Sequence, residues 1–402
     1  MSRPGEFVAG IRRDAQPDLE TVGESGELVR RLRAEIAGAG PITFARFMER
    51  ALYEPGLGYY RSNKARPGRA GDFLTAPEAD PIFGAGLARQ LAEVWRRLGE
   101  PRRFTIREPG AGAGTLATAT LRALASSEPS LLPLVRWQPV EIENARTEEF
   151  SAALAEAGFA NVVSRDDGAP ITGAIVANEV LDALPVHRIV GRPDGPRELL
   201  IGLGPGGAFE DVEAAPSEAR LVDRLAAGGI VLADGQRAEI CLRIDDWIRA
   251  EAAHLERGVL IALDYGYPAA ELYDPVQRAG GTLRAYVRQR VHDDPFRHVG
   301  RQDLTAHVDV TALERAAAAA GLDHLGTTTQ AAFLSGLGIG ELLVALQTAP
   351  GTTLASYLGA RSAVMRMLDP AAMGRFRVMI FGRGVAPDPP LAGLAFRLPE
   401  RS

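Results

Sequence analysis

The sequence predicts an α/β fold: a doubly wound, largely parallel sheet with an N-terminal helical cap and two insertions. Three observations carry this. From residue 104 onward, short apolar runs rich in β-formers alternate with helical stretches, the pattern of a parallel sheet covered on both faces. The first of these runs enters a turn of alternating glycines that opens a helix, FTIREPGAGAGTL over 104–116. The first hundred residues instead carry helical periodicity and a long glycine- and aromatic-rich loop.

In chain order, residues 1–25 are polar with scattered Gly and Pro and are expected to form a loose arm. A helix is expected over 28–37, stopped by Gly38 and Gly40. The next helix places Phe44, Phe47, Met48, Ala51 and Leu52 on one face, with Thr43 as its cap. The loop over 54–80 follows, then an amphipathic helix over 82–98. Residues 26–100 thus read as a cap with a covering loop, 101–385 as the main domain, and 386–402 as a tail. Seven strands are expected in the main domain, at 104–107, 138–142, 161–164, 174–177, 258–263, 322–328 and 376–381. Helices are expected over 115–124, 147–156 and 238–255, and over TALERAAAAAGL, where Thr311 and Glu314 spell a capping box and Gly321 a stop. The insertions fall near 186–236, polar and strand-containing, and near 330–370, mainly helical.

Composition narrows the function classes. A chain of 402 residues, 46% hydrophobic and 24% charged, reads as a soluble globular protein. A net charge of −6 argues against a general nucleic-acid binder. Cys241 is the only cysteine, so neither an intrachain disulfide nor a cysteine-based zinc site can form. It lies in a helix-like run and reads as a small buried apolar residue. The six histidines lack metal-binding spacing, and no metal is expected. With no secretory or transit signal apparent and no apolar run of transmembrane length, the expectation is a cytoplasmic chain without membrane insertion.

In a doubly wound sheet, ligands sit beyond the carboxyl ends of the strands. After the first strand come Glu108, Gly110, Ala111, Gly112 and Gly114. The spacing G-x-G-x-G is not the dinucleotide G-x-G-x-x-G, and no Lys-Ser/Thr follows as a P-loop requires. An acid on the approaching strand would repel a phosphate. It suits a ligand with hydroxyls and a cationic end, such as S-adenosylmethionine (SAM); a plain strand–helix connector is the equal alternative for the turn alone. At the end of strand two, Glu141 could accept both hydroxyls of a ribose, beside Ile142, with Glu143 as a rival on the same face. After strand three, Asp166 or Asp167 could bond an adenine amine, or simply form a turn before Gly168.

After strand four, NEVLDALPVHR brings Asn178, Glu179 and Asp182 together. If the stretch turns helically, the two acids share a face and can grip a guanidinium and take its proton. In the first loop, Gly71-Asp72-Phe73 and Thr75 to Glu78 form a polar and aromatic cluster in which Asp72 is placed to close over a ligand; a loop that merely covers the sheet edge is the alternative. Asn178, Glu179, Asp182 and Asp72 are the candidate catalytic residues; Gly71, Asp72 and Asn178 enter the cofactor set through the family resemblance described next.

Several motifs occur in order: GPITFARFMERALYEPGLGYY, GDFLTAPEADPIFG, REPGAGAGTLA, NEVLDALPVHR, LDYGY, GGTLRAY, DLTAHVDVTAL and MGRFRVM. Through them the chain, from about residue 40 to 385, resembles the MidA family of SAM-dependent methyltransferases, which includes a mitochondrial complex I assembly factor that methylates an arginine. The resemblance implies a class I methyltransferase domain of seven strands, with S-adenosylhomocysteine as by-product. It implies that Glu108, Gly110, Gly112 and Gly114 cradle SAM and that Glu141 is the acid at the end of strand two. It further implies that Gly71 and Asp72 belong to the loop over the cofactor, and that Asn178, Glu179 and Asp182 lie beside the methyl group. The expected partner is a protein substrate such as a respiratory complex I subunit. A small-molecule methyltransferase and a SAM-binding assembly factor with little catalysis are the alternatives.

Overall fold

The structure is a computed structural model describing residues 22–62, 75–288 and 290–396. Its centre is a sheet of β1 (Phe104–Pro109), β2 (Val135–Val140), β3 (Ile171–Asn178), β4 (Leu255–Asp264), β5 (Asp323–Thr329) and β6 (Arg377–Arg383), in the order β2-β1-β3-β4-β6-β5. The first four run parallel, and β6 is antiparallel to both β4 and β5. The strand order reverses at β1, which pairs with β2 on one side and β3 on the other.

Continuous apolar runs make these strands, and the pleat sends alternate residues to opposite faces. Val176, Val259, Ile261 and Ile380 pack beneath helices α1 (Ile82–Arg97) and α2 (Thr115–Ser127). Ile175, Leu260, Met379 and Phe381 pack on the other face against α3 (Arg243–His254) and α4 (Val310–Ala319). The α/β expectation therefore holds.

Among the described residues the sheet has six strands, one fewer than expected. Residues 161–164 make a 3-10 turn (Ala160–Val162) and a single parallel bridge from Val163 to Trp137. Beyond it, the Asp166 and Asp167 carboxylates accept the backbone N–H groups of Gly168 and Ala169, at 3.0 and 3.1 Å. These local turns end the pairing before a ladder can form.

Two local expectations also change. Residues 238–240 are not helical: Arg237–Ile240 pairs antiparallel with His187–Val190, and strand pairing overrides the local periodicity. Cys241 lies half-buried between that strand and α3, and burial pushes its thiol up to about 11. Helix α4 is capped by Asp309, which accepts Ala312 N–H at 2.9 Å, and not by a Thr311–Glu314 box. Thr311 instead accepts Ala269 N–H, and Glu314 accepts Thr327 O–H.

The expected cap helices form as Gly26–Ala39 and Phe44–Tyr53, the latter capped by Thr43. Their apolar faces share one core with Val186, Ile201, Leu283 and Leu304, so this layer sits on a second sheet drawn largely from the first insertion. The second insertion forms the helices Gln330–Gly336, Ile339–Thr348 and Leu354–Leu368. Among the described residues no single helix is long and apolar enough to cross a membrane.

Candidate active site

A cavity of about 530 Å³ opens at the carboxyl ends of β1, β2 and β3, where the strand order reverses. The glycine turn forms one wall. Gly110, Gly112 and Gly114 have φ values of 67°, 56° and 78°, which any side chain would strain. A Cβ on Gly110 would also lie 3.0 Å from Val180 Cγ2. Gly110, Ala111 and Gly112 line the cavity. Gly114 does not: it sits at the N-terminus of α2, against Leu154 and Phe150, and serves packing there.

Two acids stand beside the turn. Glu108 is buried at the end of β1 and accepts Trp137 Nε1–H at 2.7 Å. Burial pushes its carboxyl up to about 8 against that hydrogen bond. Glu141 follows β2, lines the cavity with Ile142, and accepts the Gly112 N–H at 2.5 Å. Burial raises its pKa, opposed first by that backbone donor. The rival Glu143 is drawn away into an ion pair with Arg61 and does not line the cavity.

Neither Asp166 nor Asp167 reaches the cavity, which corrects the expectation that one of them meets a ligand. Asp166 pairs with Arg107, which is buried in β1 and also bonded to Glu251 at 2.9 Å. A buried guanidinium needs carboxylate partners, and it claims this one.

The other end of the cavity is set by the loop after β3. Residues 179–182 do not turn helically. Glu179 has φ 52°, and its N–H bonds Leu263 O at 2.8 Å. The next three N–H groups, of Val180, Leu181 and Asp182, all donate to one oxygen of Asp264, at 3.2, 2.8 and 3.3 Å. The other oxygen accepts Tyr265 N–H at 2.8 Å. This arrangement aims Asn178 and Glu179 into the cavity and tucks Asp182 beneath it.

Electrostatically this end is an acid well. Burial, then the charge of Asp264, pushes Glu179 up to about 8, with Asn178 Nδ2 as a donor at 3.3 Å. Burial pushes Asp264 to about 7 despite its four donors. Burial, then Asp264 and Asp303, holds Asp182 well above the carboxylate range. Sequence reasoning missed Asp264 and Asp303. The signal for Asp264 was present, an acid closing an apolar strand in LDYGY. Asp303 opens the DLTAHVDVTAL motif, which gave no hint of this position; it reaches the site through Tyr60, whose hydroxyl donates to it at 2.9 Å.

Tyr60 stacks on Tyr53, and both line the cavity, as does Glu78, whose carboxylate accepts Thr75 N–H. Gly71 and Asp72 lie outside the described residues.

An α/β sheet whose switch point carries a glycine cradle, an acid at the next strand end and a buried acid well is the scaffold of a nucleoside-cofactor transferase. The particular family follows from comparison. A family model described as "Putative S-adenosyl-L-methionine-dependent methyltransferase" matches residues 86–328, more than half the chain, and the protein belongs to that family. A structure from Burkholderia thailandensis crystallised with S-adenosyl-homocysteine shares 36% identity at a TM-score of 0.85, covering 95% of this chain and 97% of that one.

Curated relatives include the Drosophila melanogaster "Protein arginine methyltransferase NDUFAF7 homolog, mitochondrial", 29% identical over 92% of this chain and 88% of its own length. The Homo sapiens protein of that name without "homolog" is 27% identical, over 78% and 73%. The chain is a SAM-dependent methyltransferase. The cavity fits that cofactor: a Cβ would fill the Gly110 cradle, and Glu141 stands across the turn. The cytoplasmic expectation is overturned, since these relatives are named as mitochondrial proteins.

Proposed function

We propose that this protein moves the methyl group of SAM to a nitrogen of an arginine side chain on a partner protein. The observation that carries the reading is the acid well, with Glu179 in the cavity and Asp182, Asp264 and Asp303 behind it. A guanidinium is cationic at all working pH. It therefore needs carboxylates to orient it and to accept a proton as the new C–N bond forms. The names of the curated relatives support the same acceptor. The family resemblance suggests a respiratory complex I subunit as the partner.

Glu141 would hold the ribose hydroxyls, the Gly110–Gly112 turn the amino-acid portion, and Glu108 its ammonium, which would favour the ionised carboxylate. Asn178 would sit between cofactor and acceptor. Bound there, SAM supplies an electrophilic methyl on a sulfonium. Glu179 would orient the guanidinium in line with it and take the departing proton, while Asp264 holds the loop that aims Glu179. Positioning and fixed charge would supply the acceleration. The sheet order, with the Val163 bridge on the open edge of β2, supports reading the core as a class I methyltransferase sheet whose seventh strand has shrunk to one contact.

Incubating the purified chain and methyl-labelled SAM with a lysate of its own organism tests the reading. Label in a protein band that hydrolyses to methylarginine is the expected result. Label confined to small molecules would overturn it.

A further inference from the structure

Beside the acid well lies a surface of opposite charge. Tyr265 follows Asp264 directly. Its ring lies 3.8 Å between centroids from Phe376 and stacks on the His307 imidazole at 6.0 Å with 9° between planes. Tyr267, two residues on, packs against the same imidazole at 5.5 Å and carries the Arg278 guanidinium over its face at 3.8 Å. Short strand pairings hold this shelf rigid: Gly266–Tyr267 runs parallel to Val308–Asp309, and Arg284–Val287 pairs with Asp303–Thr305.

Arg377 lies over the Tyr267 ring, Arg284 stands in the second of these pairings, and Arg375 directly precedes Phe376, whose ring meets Tyr265. Arg377 pairs with the half-exposed Glu271 at 3.5 Å, and Arg284 with the exposed Asp293 at 3.5 Å. Among the described residues no carboxylate pairs with Arg278 or Arg375, and His307 Nδ1 is buried without a partner. Burial, then Arg375, Arg278 and Arg284, pushes His307 down to about 4, so all three cations bear on one neutral ring. Both signs of charge reach Tyr286: burial, then Asp182 and Asp303, raises its pKa, and Arg284 and Arg375 oppose that rise. Arginines with few carboxylate partners, two of them over the Tyr267 ring, suit a planar anion.

We propose that the shelf of Arg278, Arg284, Arg375 and His307 binds the carboxylate of an Asp or Glu side chain in the protein substrate, close in sequence to the arginine being methylated. The substrate would then lie across a charge boundary, its guanidinium in the acid well and its carboxylate on the basic shelf. This deepens the proposed function and rests on it. The complementarity supplies register, since a reversed or neutral segment would leave one side unmatched.

The test uses the full-length protein and a library of C-terminally amidated peptides, each with one arginine and a single Glu or Gln scanned through the flanking positions. Initial rates of methyl transfer give kcat/KM, and fluorescence anisotropy on the enzyme saturated with S-adenosyl-homocysteine gives peptide affinity without turnover. One or two Glu positions should exceed their Gln counterparts about tenfold or more in both measurements. Arg375→Gln should bring that ratio near one, and Arg375→Glu should invert it. Arg375 is exposed, so its replacement should not unfold the chain, and an unchanged melting temperature checks this. High salt should shrink the ratio. A free-terminus arm tells a side-chain carboxylate from a chain-end one, and preference for the chain end alone overturns the proposal. Arginine methylation indifferent to Glu at every position overturns this proposal and spares the function. No arginine methylation in peptides or lysate overturns both.

Discussion

The two ends of the cavity are built differently. At the proposed cofactor end, Glu108, the glycine turn and Glu141 come from one strand–helix–strand unit, β1 to β2. At the proposed acceptor end, Tyr53 and Tyr60 come from the cap, Glu179 and Asp182 follow β3, Asp264 closes β4, and Asp303 arrives from a segment beyond. The electrostatics differ as well. Each cofactor-end acid has a close donor, from Trp137 or Gly112. At the acceptor end, Asp264 acts on Glu179, and Asp264, Asp303 and Glu179 all act on Asp182, where the other end has only Glu141 acting on Glu108. One end is complete within one stretch of chain. The other concentrates like charge, which an entering cation would relieve.

The largest break in this comparison should come from Glu179→Gln. It should lower kcat by about 10²-fold or more while S-adenosyl-homocysteine affinity stays within a few-fold. Labelled methyl transfer and calorimetry measure the two; an equal fall in both would show that the ends are not separable. The same residue sets a pH dependence. The folded state raises Glu179 from 4.5 to about 8, so it holds the proton more tightly than the unfolded chain. Its contribution to stability is therefore full below about 4.5 and lost as pH rises through about 8, on the order of a few kcal/mol. The proposed transfer uses the carboxylate, so kcat/KM should climb through the upper part of that window. In Glu179→Gln that climb should vanish, and the variant should melt above the parent at pH 9.

At the cofactor end, Gly110→Val should weaken S-adenosyl-homocysteine binding by about tenfold to a hundredfold. The side chain meets Val180 Cγ2 and forces a β-branched residue to φ 67°, a strain of about 1–3 kcal/mol. Unchanged affinity would remove the glycine turn from the binding site.

These contrasts explain what could be read in advance. The glycine turn and Glu141 were legible as neighbours because one stretch of chain, β1 to β2, carries both. Six of the seven expected strands form near where they were read, because apolar runs covered on both faces leave a clear pattern. Asp166 misled because its competitor, Arg107, sits on another strand in a position that reads as ordinary β. Glu179 and Asp182 were found as a cluster, but their geometry was not, because a helical turn and a loop wound on Asp264 share the same spacing. Only the three convergent N–H groups distinguish them.

Asp264→Asn sharpens the acceptor end. An amide still offers one oxygen to the three N–H groups, but turns an NH₂ toward Tyr265 N–H and deletes the charge. We expect kcat to fall about tenfold through misaimed Glu179. The distinguishing readout is the pH profile. Removing a like charge lowers the Glu179 pKa, so the rise in kcat/KM should move to lower pH. A loss of rate with an unmoved profile would reduce Asp264 to a structural brace.

The smallest effects separate Glu141 from Glu143, two acids on one strand exit. Glu141→Gln should weaken S-adenosyl-homocysteine binding about tenfold, since its carboxylate orders the turn through Gly112 and faces the cavity. Glu143→Gln removes only a half-exposed pairing with Arg61, the kind of contact that contributes about 0.2–1 kcal/mol. Its affinity should stay within about twofold of the parent by calorimetry. Should the two variants exchange places, the ribose would belong to Glu143, and the Arg61 pairing would have to open when the cofactor enters, making the cap part of the cofactor site and erasing the local completeness of that end.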